Sequence, residues 1–141
     1  MNVEFRVMDE GDIKGARNLW KSEPFLGVTD SDSEERLAAY LNSNRGLSFV
    51  AYDGDRLVGT ILAGHDSRRS FINHLCVDER YRRMGIATKL VELCEKALAD
   101  ELPLRSYVMV YRDNEKAVEF WAERGYQLDQ SLLVMKRSLA E

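Results

Sequence analysis

Cysteine, histidine and proline are scarce in this chain, which has two of each in 141 residues. Cys76 and Cys94 are too few for a disulfide framework. Together with His65 and His74 they lack the spacing of a structural zinc site, so no metal is expected. Two prolines exclude a proline-rich linker. No apolar run approaches the roughly 18 residues of a transmembrane helix, so no membrane partner is expected either.

Basic charge is also in short supply. The net charge of −4 lacks the basic excess of nucleic-acid-binding proteins, and we therefore expect no nucleic-acid partner. The first residues lack the basic-then-apolar pattern of a secretion signal, which predicts a cytoplasmic protein. A chain of 141 residues that is 45% hydrophobic and 31% charged predicts a single domain over residues 1–141.

Hydrophobic periodicity predicts a mixed α/β (α+β) fold. The predicted strands cover residues 4–8, 47–52, 57–63, 71–77, 107–111, 126–128 and 132–136. The predicted helices follow Asp9, begin at Ser33 or Glu34, cover about 84–99, and lie between Asn114 and Gly125. Early antiparallel strands followed by a strand–helix–strand unit predict a mixed, mostly antiparallel sheet of six or seven strands. We expect about four helices, distributed over both faces.

One stretch carries the chemistry. A strand that ends at Val77 leads through a charged loop to Gly85, which opens the longest predicted helix. The first turn of a helix has unpaired N–H groups and the positive end of the dipole, so this turn is a candidate phosphate site. No P-loop is present, and a dinucleotide fingerprint needs three glycines where only Gly85 stands.

The stretch Arg82-Arg83-Met84-Gly85-Ile86-Ala87, with Asn114-x-x-Ala117 and Gly125-Tyr126 downstream, resembles the GNAT superfamily of acetyl-CoA-dependent N-acetyltransferases. The small bacterial YpeA-like and RimI-like members are the most similar in pattern. The order of predicted elements is also that of the family over nearly the whole chain. This resemblance implies transfer of an acetyl group from acetyl-CoA to a primary amine in a ternary complex, by a monomer or homodimer.

The resemblance also implies which residues bind the cofactor. Backbone amides from Arg82 to Thr88 would bind the pyrophosphate of coenzyme A, and Gly85 would leave room for it. The strand end would hold the pantetheine arm through its backbone. Asn114 either contacts that arm or only caps its helix. The implied cofactor-binding residues are Leu75, Cys76, Val77, Arg82, Arg83, Met84, Gly85, Ile86, Ala87, Thr88 and Asn114.

The catalytic half of the site follows the family pattern less closely. Attack of an amine on a thioester needs a base, an N–H group for the oxyanion and an acid for the thiolate. The backbone amide of Cys76 or Val77 is expected to bind the oxyanion, and the Cys76 side chain is expected to be buried rather than nucleophilic. Trp121 occupies the place of the family's acidic tyrosine, although an indole N–H is not an acid near neutral pH.

Three other side chains are candidates for these roles. Tyr111 and Tyr126 are the nearest alternatives as the acid, although a packing role in the core or at its edge is favoured for each. His74 is the candidate base because histidine titrates near neutral pH. The alternative is that His74 is structural and that water relays the proton.

Two alternative functions and the acceptor remain open at this stage. The chain could be a non-catalytic acyl-CoA-binding or regulatory domain, or an interaction module without a nucleotide. The acceptor is expected to be selected by loops at 22–33 and 129–133, where Phe25 and Leu26 either line a cleft or fill the core edge. The acidic residues of the first region either attract a cationic amine or are simply solvated: Asp30, Asp32, Glu34 and Glu35.

Overall fold

The computed structural model describes residues 2–102 and 104–140. The described residues up to Met109 form one compact unit, and those from Val110 form a second. The strands are β1 Val3–Val7, β2 Phe49–Asp53, β3 Arg56–His65, β4 Ser70–Val77 and β5 Ser106–Val108. The helices are α1 Ile13–Lys21, α2 Glu34–Ser43, α3 Ile86–Glu101 and α4 Glu115–Glu123.

The first unit contains a mixed sheet in the order β1-β2-β3-β4-β5. In the described residues, β1 pairs with β2, β2 with β3 and β3 with β4, all antiparallel, whereas β4 and β5 pair in parallel. The predicted fold class is therefore confirmed. Four α-helices, the predicted number, occur in the part of the chain that the structure describes.

The predicted strand number of six or seven is wrong for the described residues, which form five strands. Residues 126–128 and 132–136 have strand-forming side chains but adopt no strand. Strand propensity reports how well a side chain suits a pleated surface, whereas a strand also requires a partner ladder. β5 is likewise shorter than predicted, because its pairing with β4 stops at Val108.

Adjacent residues of β2 and β3 show how the helices cover the two faces of the sheet. Val50 belongs to a core that also contains Ile13 and Trp20 of α1 and residues of α2. A Cβ built on Gly59 would instead lie 3.2 Å from Ile86 and Leu90 of α3 and 3.3 Å from Ala51. Because successive side chains of a strand point to opposite faces, α1 and α2 cover one face and α3 covers the other.

The helix starts agree with the predicted caps. Asp9 caps the turn that leads into α1, where Asp12 completes a reciprocal capping box. The Ser33 side chain caps α2 by accepting a hydrogen bond from the backbone N–H of Arg36 at 3.2 Å. In the second unit, the Asn114 side chain caps α4. Each of these three helix starts is therefore set by residues close to it in the sequence.

Candidate active site

β5 is the edge strand of the sheet and pairs with only the first part of β4. Their parallel pairing joins Ser70 with Ser106, Phe71 with Tyr107 and Ile72 with Val108, and goes no further. From Asn73 to Val77, β4 continues beside β3 but has no paired strand on its other edge among the described residues. An unpaired strand edge offers backbone donors and acceptors to an extended ligand.

A β-bulge lies where the two strands separate. Thr60 is opposite Cys76, whereas Leu62 is opposite Asn73, so β4 has one residue more than β3 across this step. His74 takes up the extra length with φ +50°. A left-handed conformation is uncommon for a residue with a Cβ, and bulges often redirect a side chain next to an active site.

The ladder indicates which amides of β4 face the open edge. The N–H of Asp78 donates to the carbonyl of Val58 at 2.8 Å. Hydrogen-bonded pairs alternate along an antiparallel ladder, so Cys76 is also expected to bond to its opposite residue Thr60. The amides of Leu75 and Val77 then point away from β3, toward the unpaired edge.

A short 3₁₀ turn connects this edge to α3. The turn, Glu79–Tyr81, is capped by the side chain of Asp78. Tyr81 is buried, and its hydroxyl donates to Asp53 Oδ2 at 2.6 Å, a hydrogen bond that raises the pKa of Tyr81. The turn is therefore attached to the end of β2.

Gly85 is the N-cap of α3 and has φ +79°. A Cβ built there would meet nothing within 4 Å, so the space beside the helix start is open. Arg83 is also left-handed, with φ +64°. The carbonyl of Gly85 accepts the first intrahelical bond, from the N–H of Lys89, and no side chain caps this helix. The positive end of α3 thus has open space beside it, and the two arginines that precede it in the sequence are exposed.

Arg82 connects this turn to the loop that follows α1. Its Nη2 donates to Glu23 Oε1 at 2.6 Å, and its Nε donates to the carbonyl of Val77 at 3.2 Å. One guanidinium therefore holds the end of β4 and the start of the 22–33 loop together.

His74 makes a second connection to the same loop. Its Nε2 lies 2.9 Å from Oδ1 of Asp32, a carboxylate that is only 5% exposed. The Trp20 ring meets the imidazole edge-on at 4.6 Å between centroids. Thr60 Oγ1 accepts a hydrogen bond from Trp20 Nε1 at 2.8 Å and donates to the carbonyl of His74 at 2.9 Å.

Cys76 lies beside this cluster but is unsuited to nucleophilic chemistry. Burial raises the pKa of its thiol to about 12, and the charge of Glu23 adds to the effect while Arg82 opposes it. The thiolate is the reactive form of cysteine, so Cys76 stays a protonated, buried side chain at neutral pH. The free Cys94 is also buried.

The second unit contains the remaining predicted site residues. Asn114 Oδ1 accepts a hydrogen bond from the N–H of Ala117 at 3.2 Å, so its capping role is present. Tyr111 is 59% exposed. Trp121 is buried, with edge-on ring contacts to Phe120 and Tyr126. Trp121 and Tyr126 thus pack within their own unit, and the roles predicted for these four residues remain predictions.

In the first unit, His74, Leu75 and Val77 lie on the part of β4 that has no partner on its outer edge. The chain then runs through the 3₁₀ turn, Arg82 and Arg83 to Gly85 at the start of α3. Sequence reasoning missed Glu23, Trp20 and Thr60 as parts of this region. It considered Asp32 as one of four acidic residues that either attract a cationic amine or are solvated. No local signal marks these contacts, because each joins residues far apart in the sequence. Of the two loop apolar residues, Leu26 packs against the core whereas Phe25 is 48% exposed.

Two kinds of feature are absent from the described residues. Residues 2–102 and 104–140 contain no group of three or more metal-ligating His, Cys, Asp or Glu side chains. Over the same residues, no helix combines the length and apolarity that crossing a bilayer requires.

Known proteins share this sequence pattern and fold. An acetyltransferase from Sodalis glossinidius (strain morsitans) is 29% identical over 139 residues, which cover 99% of this chain and 97% of the relative. Among solved structures, Ard1 from Thermoplasma volcanium has a TM-score of 0.80 at 19% identity, with 92% of this chain and 85% of that chain covered.

The PaiA N-acetyltransferase of Thermoplasma acidophilum, solved in complex with coenzyme A, has a TM-score of 0.78 at 19% identity, and 92% of each chain is covered. The model of the acetyltransferase (GNAT) family matches residues 13–126, most of the chain. The chain therefore belongs to the GNAT acetyltransferase family, in which acetyl-CoA is the acetyl donor.

Proposed function

We propose that this protein is an N-acetyltransferase that transfers the acetyl group of acetyl-CoA directly to a primary amine within a ternary complex. The observation that carries the proposal is the separation of β4 from β5 next to an uncapped helix start at Gly85. A coenzyme A arm can add to the open strand edge while its pyrophosphate meets the positive end of α3.

The two halves of the cofactor would bind through different interactions, one with a helix start and one with a strand edge. The pyrophosphate would accept hydrogen bonds from first-turn amides of α3, with Arg82 and Arg83 supplying positive charge. The pantetheine amides would pair with the backbone of Leu75 and Val77, because those residues face the open edge of β4. Asn114 remains a further proposed contact to the arm.

The chemistry would take place at the bulge. The amine must lose its proton, attack the thioester carbonyl and expel the thiolate, while a backbone N–H stabilises the oxyanion. Of the two amides predicted for that role, the ladder favours Val77 over Cys76. His74 is the proposed base. Tyr111 and Tyr126 remain the candidate acids, because the Trp121 indole could only donate a hydrogen bond to the sulfur.

The acceptor would enter beside the 22–33 loop. Three acidic side chains there are exposed and would favour a cationic amine, either of a small molecule or of a peptide: Asp30, Glu34 and Glu35. Asp32 is not one of them, since it is buried and bonded to His74.

The first experiment measures cofactor binding by calorimetry with acetyl-CoA. Gly85→Val is expected to weaken binding at least tenfold, because a branched side chain is strained at φ +79° and fills the open space beside the helix start. Lys96→Ala, on an exposed position farther along α3, is the matched control and should bind as the wild type does.

The second experiment measures thiol release from acetyl-CoA with spermidine, an aminoglycoside and a peptide with a free amino terminus. Turnover with any of these amines supports the proposal. Tight binding of acetyl-CoA without turnover on this panel and on a wider set of amines would reject it in favour of a non-catalytic acyl-CoA-binding domain. The tryptophan at position 121, where the family has its tyrosine acid, is the observation that keeps this alternative in view.

A further inference from the structure

Asp32 has a buried carboxylate, and each of its two oxygens contacts a different group. Oδ2 accepts a hydrogen bond from the backbone N–H of Thr29 at 3.1 Å, and Oδ1 lies 2.9 Å from Nε2 of His74. The carboxylate is 5% exposed and comes from the 22–33 loop, 42 residues before the histidine that it contacts. A helix-capping role explains the first contact but not the second.

The imidazole is held from several sides. Its backbone is fixed at φ +50° in the bulge, and its carbonyl accepts a hydrogen bond from Thr60. Trp20 contacts the ring edge-on and is itself fixed by the hydrogen bond to Thr60. Among the described residues, Asp32 is the charged group in contact with His74, and the neighbours Trp20 and Thr60 are neutral. The ring therefore has a defined orientation at the point where β4 leaves β5.

The contact determines which ring nitrogen carries hydrogen. An ionised carboxylate can only accept hydrogen bonds, so Nε2 of His74 must be the donor to Asp32. In neutral imidazole the other nitrogen, Nδ1, then has the free lone pair. Among residues 2–102 and 104–140, no group forms a hydrogen bond with Nδ1. Nδ1 of His74 is therefore the atom in the bulge that is free to accept a proton.

We propose that Asp32 is a positioning residue, which holds His74 in the Nε2–H tautomer so that Nδ1 takes the proton of the acceptor ammonium. This inference rests on the proposed N-acetyltransferase function. The ammonium N–H bond breaks as Nδ1 gains the proton, and the resulting imidazolium is stabilised by the Asp32 carboxylate.

The neutral amine then forms the C–N bond to the acetyl carbon, and the C–S bond breaks with its electron pair on sulfur. The proton left on the new amide nitrogen passes to the thiolate, which gives free coenzyme A thiol. His74 returns its proton to solvent before the next turnover. One acetyl-CoA and one ammonium thus yield one amide, one thiol and one proton, and no other reactant is needed.

The test compares Asp32→Asn, His74→Asn and the control Ser33→Ala. Asparagine at position 74 tolerates the left-handed backbone that the bulge requires. Ser33→Ala removes the cap of α2 in the same loop but leaves the Asp32 contact intact. Melting curves and coenzyme A binding establish that each variant is folded.

The readouts are the tautomer of His74, from long-range ¹H–¹⁵N correlation spectra, and kcat and KM with the amine that turns over fastest in the panel. Wild type and Ser33→Ala should show the Nε2–H tautomer. Asp32→Asn should shift it toward Nδ1–H, because the new amide can donate to Nε2. We expect kcat to fall about tenfold or more in Asp32→Asn and about 100-fold in His74→Asn, with KM for acetyl-CoA unchanged.

Because Asp32 acts through His74, the double variant that combines Asp32→Asn with His74→Asn should have the same kcat as His74→Asn alone. A folded Asp32→Asn protein with the wild-type tautomer, or with a loss no larger than that of Ser33→Ala, overturns the inference while the acetyltransferase activity stands. A wild type that turns over no amine overturns the proposed function itself and the base role with it.

Discussion

Thr60 offers a sharp test of how the bulge is stabilised. Its side chain is fully buried, and one oxygen serves both Trp20 Nε1 at 2.8 Å and the carbonyl of His74 at 2.9 Å. Thr60→Val preserves the shape and the strand propensity of this side chain but removes the oxygen. The indole N–H and the carbonyl then lose their partner together.

The expected cost follows from those two groups. A buried donor or acceptor without a partner costs about 1–3 kcal/mol. Trp20 is fully buried, whereas the carbonyl at the bulge is only partly so, and we therefore expect about 2–4 kcal/mol in total. That is a large share of the ~5–15 kcal/mol by which a typical domain is stable.

Urea unfolding followed by tryptophan fluorescence measures this difference, provided that the m-value is unchanged. Thr60→Ser is the matched control, because it keeps the oxygen and loses one methyl group, at a cost of about 1 kcal/mol. If Thr60→Val proves no less stable than Thr60→Ser, the hydroxyl does not stabilise the bulge, and the reasoning from hydrogen-bond geometry is refuted.

Three further predictions concern stability and reactivity. Burial alone would raise the pKa of Asp12, but hydrogen bonds from Arg6, the Asp9 amide and Tyr52 hold it below its usual range. Asp12→Asn should therefore lose about 2 kcal/mol at pH 7. Denaturant melts should show the difference shrinking as the pH falls below about 4, because the unfolded wild-type chain takes up a proton at this carboxyl before the folded chain does; an unchanged difference at pH 3 would contradict this. Gly64→Ala should lower the melting temperature, at a cost of about 1–3 kcal/mol, because its Cβ would lie 2.6 Å from Tyr40 Oη and 2.8 Å from Asn44 Cγ. Gly15→Ala in α1, whose Cβ meets only Leu57 at 3.6 Å, should raise the melting temperature instead, and equal effects of the two would show that the close approach is unimportant. Native protein should react with a disulfide reagent at pH 8 far more slowly than urea-unfolded protein, since burial raises the pKa of Cys76 to about 12 and that of Cys94 as well; rapid labelling of the native chain would show that these thiols are accessible.

Local signals in the sequence predicted much of the fold. The capping residues Asp9, Ser33 and Asn114 mark helix starts in both the sequence and the structure, because a cap involves only neighbouring residues. The hairpin between β2 and β3 was also predictable, since Gly54 supplies the positive φ that its turn requires. The final strands were predicted wrongly, because residues 132–136 show β-propensity without revealing whether any strand lies beside them.

The candidate site, like the fold, could be predicted from the sequence only in part. The turn at Gly85 could be located from sequence, because its glycine and the helix that follows are contiguous. The bulge could not, since a positive φ at His74 is unusual for that residue type and depends on the strands around it. The contacts of His74 with Asp32 and of Arg82 with Glu23 join residues 42 and 59 positions apart, so only the tertiary structure reveals them.

Two side-chain contacts of the 22–33 loop, with Arg82 and with His74, have a consequence for how the protein can be altered. Glu23 and Asp32 fasten the loop at both ends, whereas Phe25 between them is exposed. The entropy of closing a loop grows slowly, by about 0.6 kcal/mol for each doubling of its length. Residues inserted near Phe25 can therefore remodel the surface offered to incoming molecules while both fastenings persist. Loop grafting between the two anchor residues is accordingly a practical way to change this surface without loosening its ends.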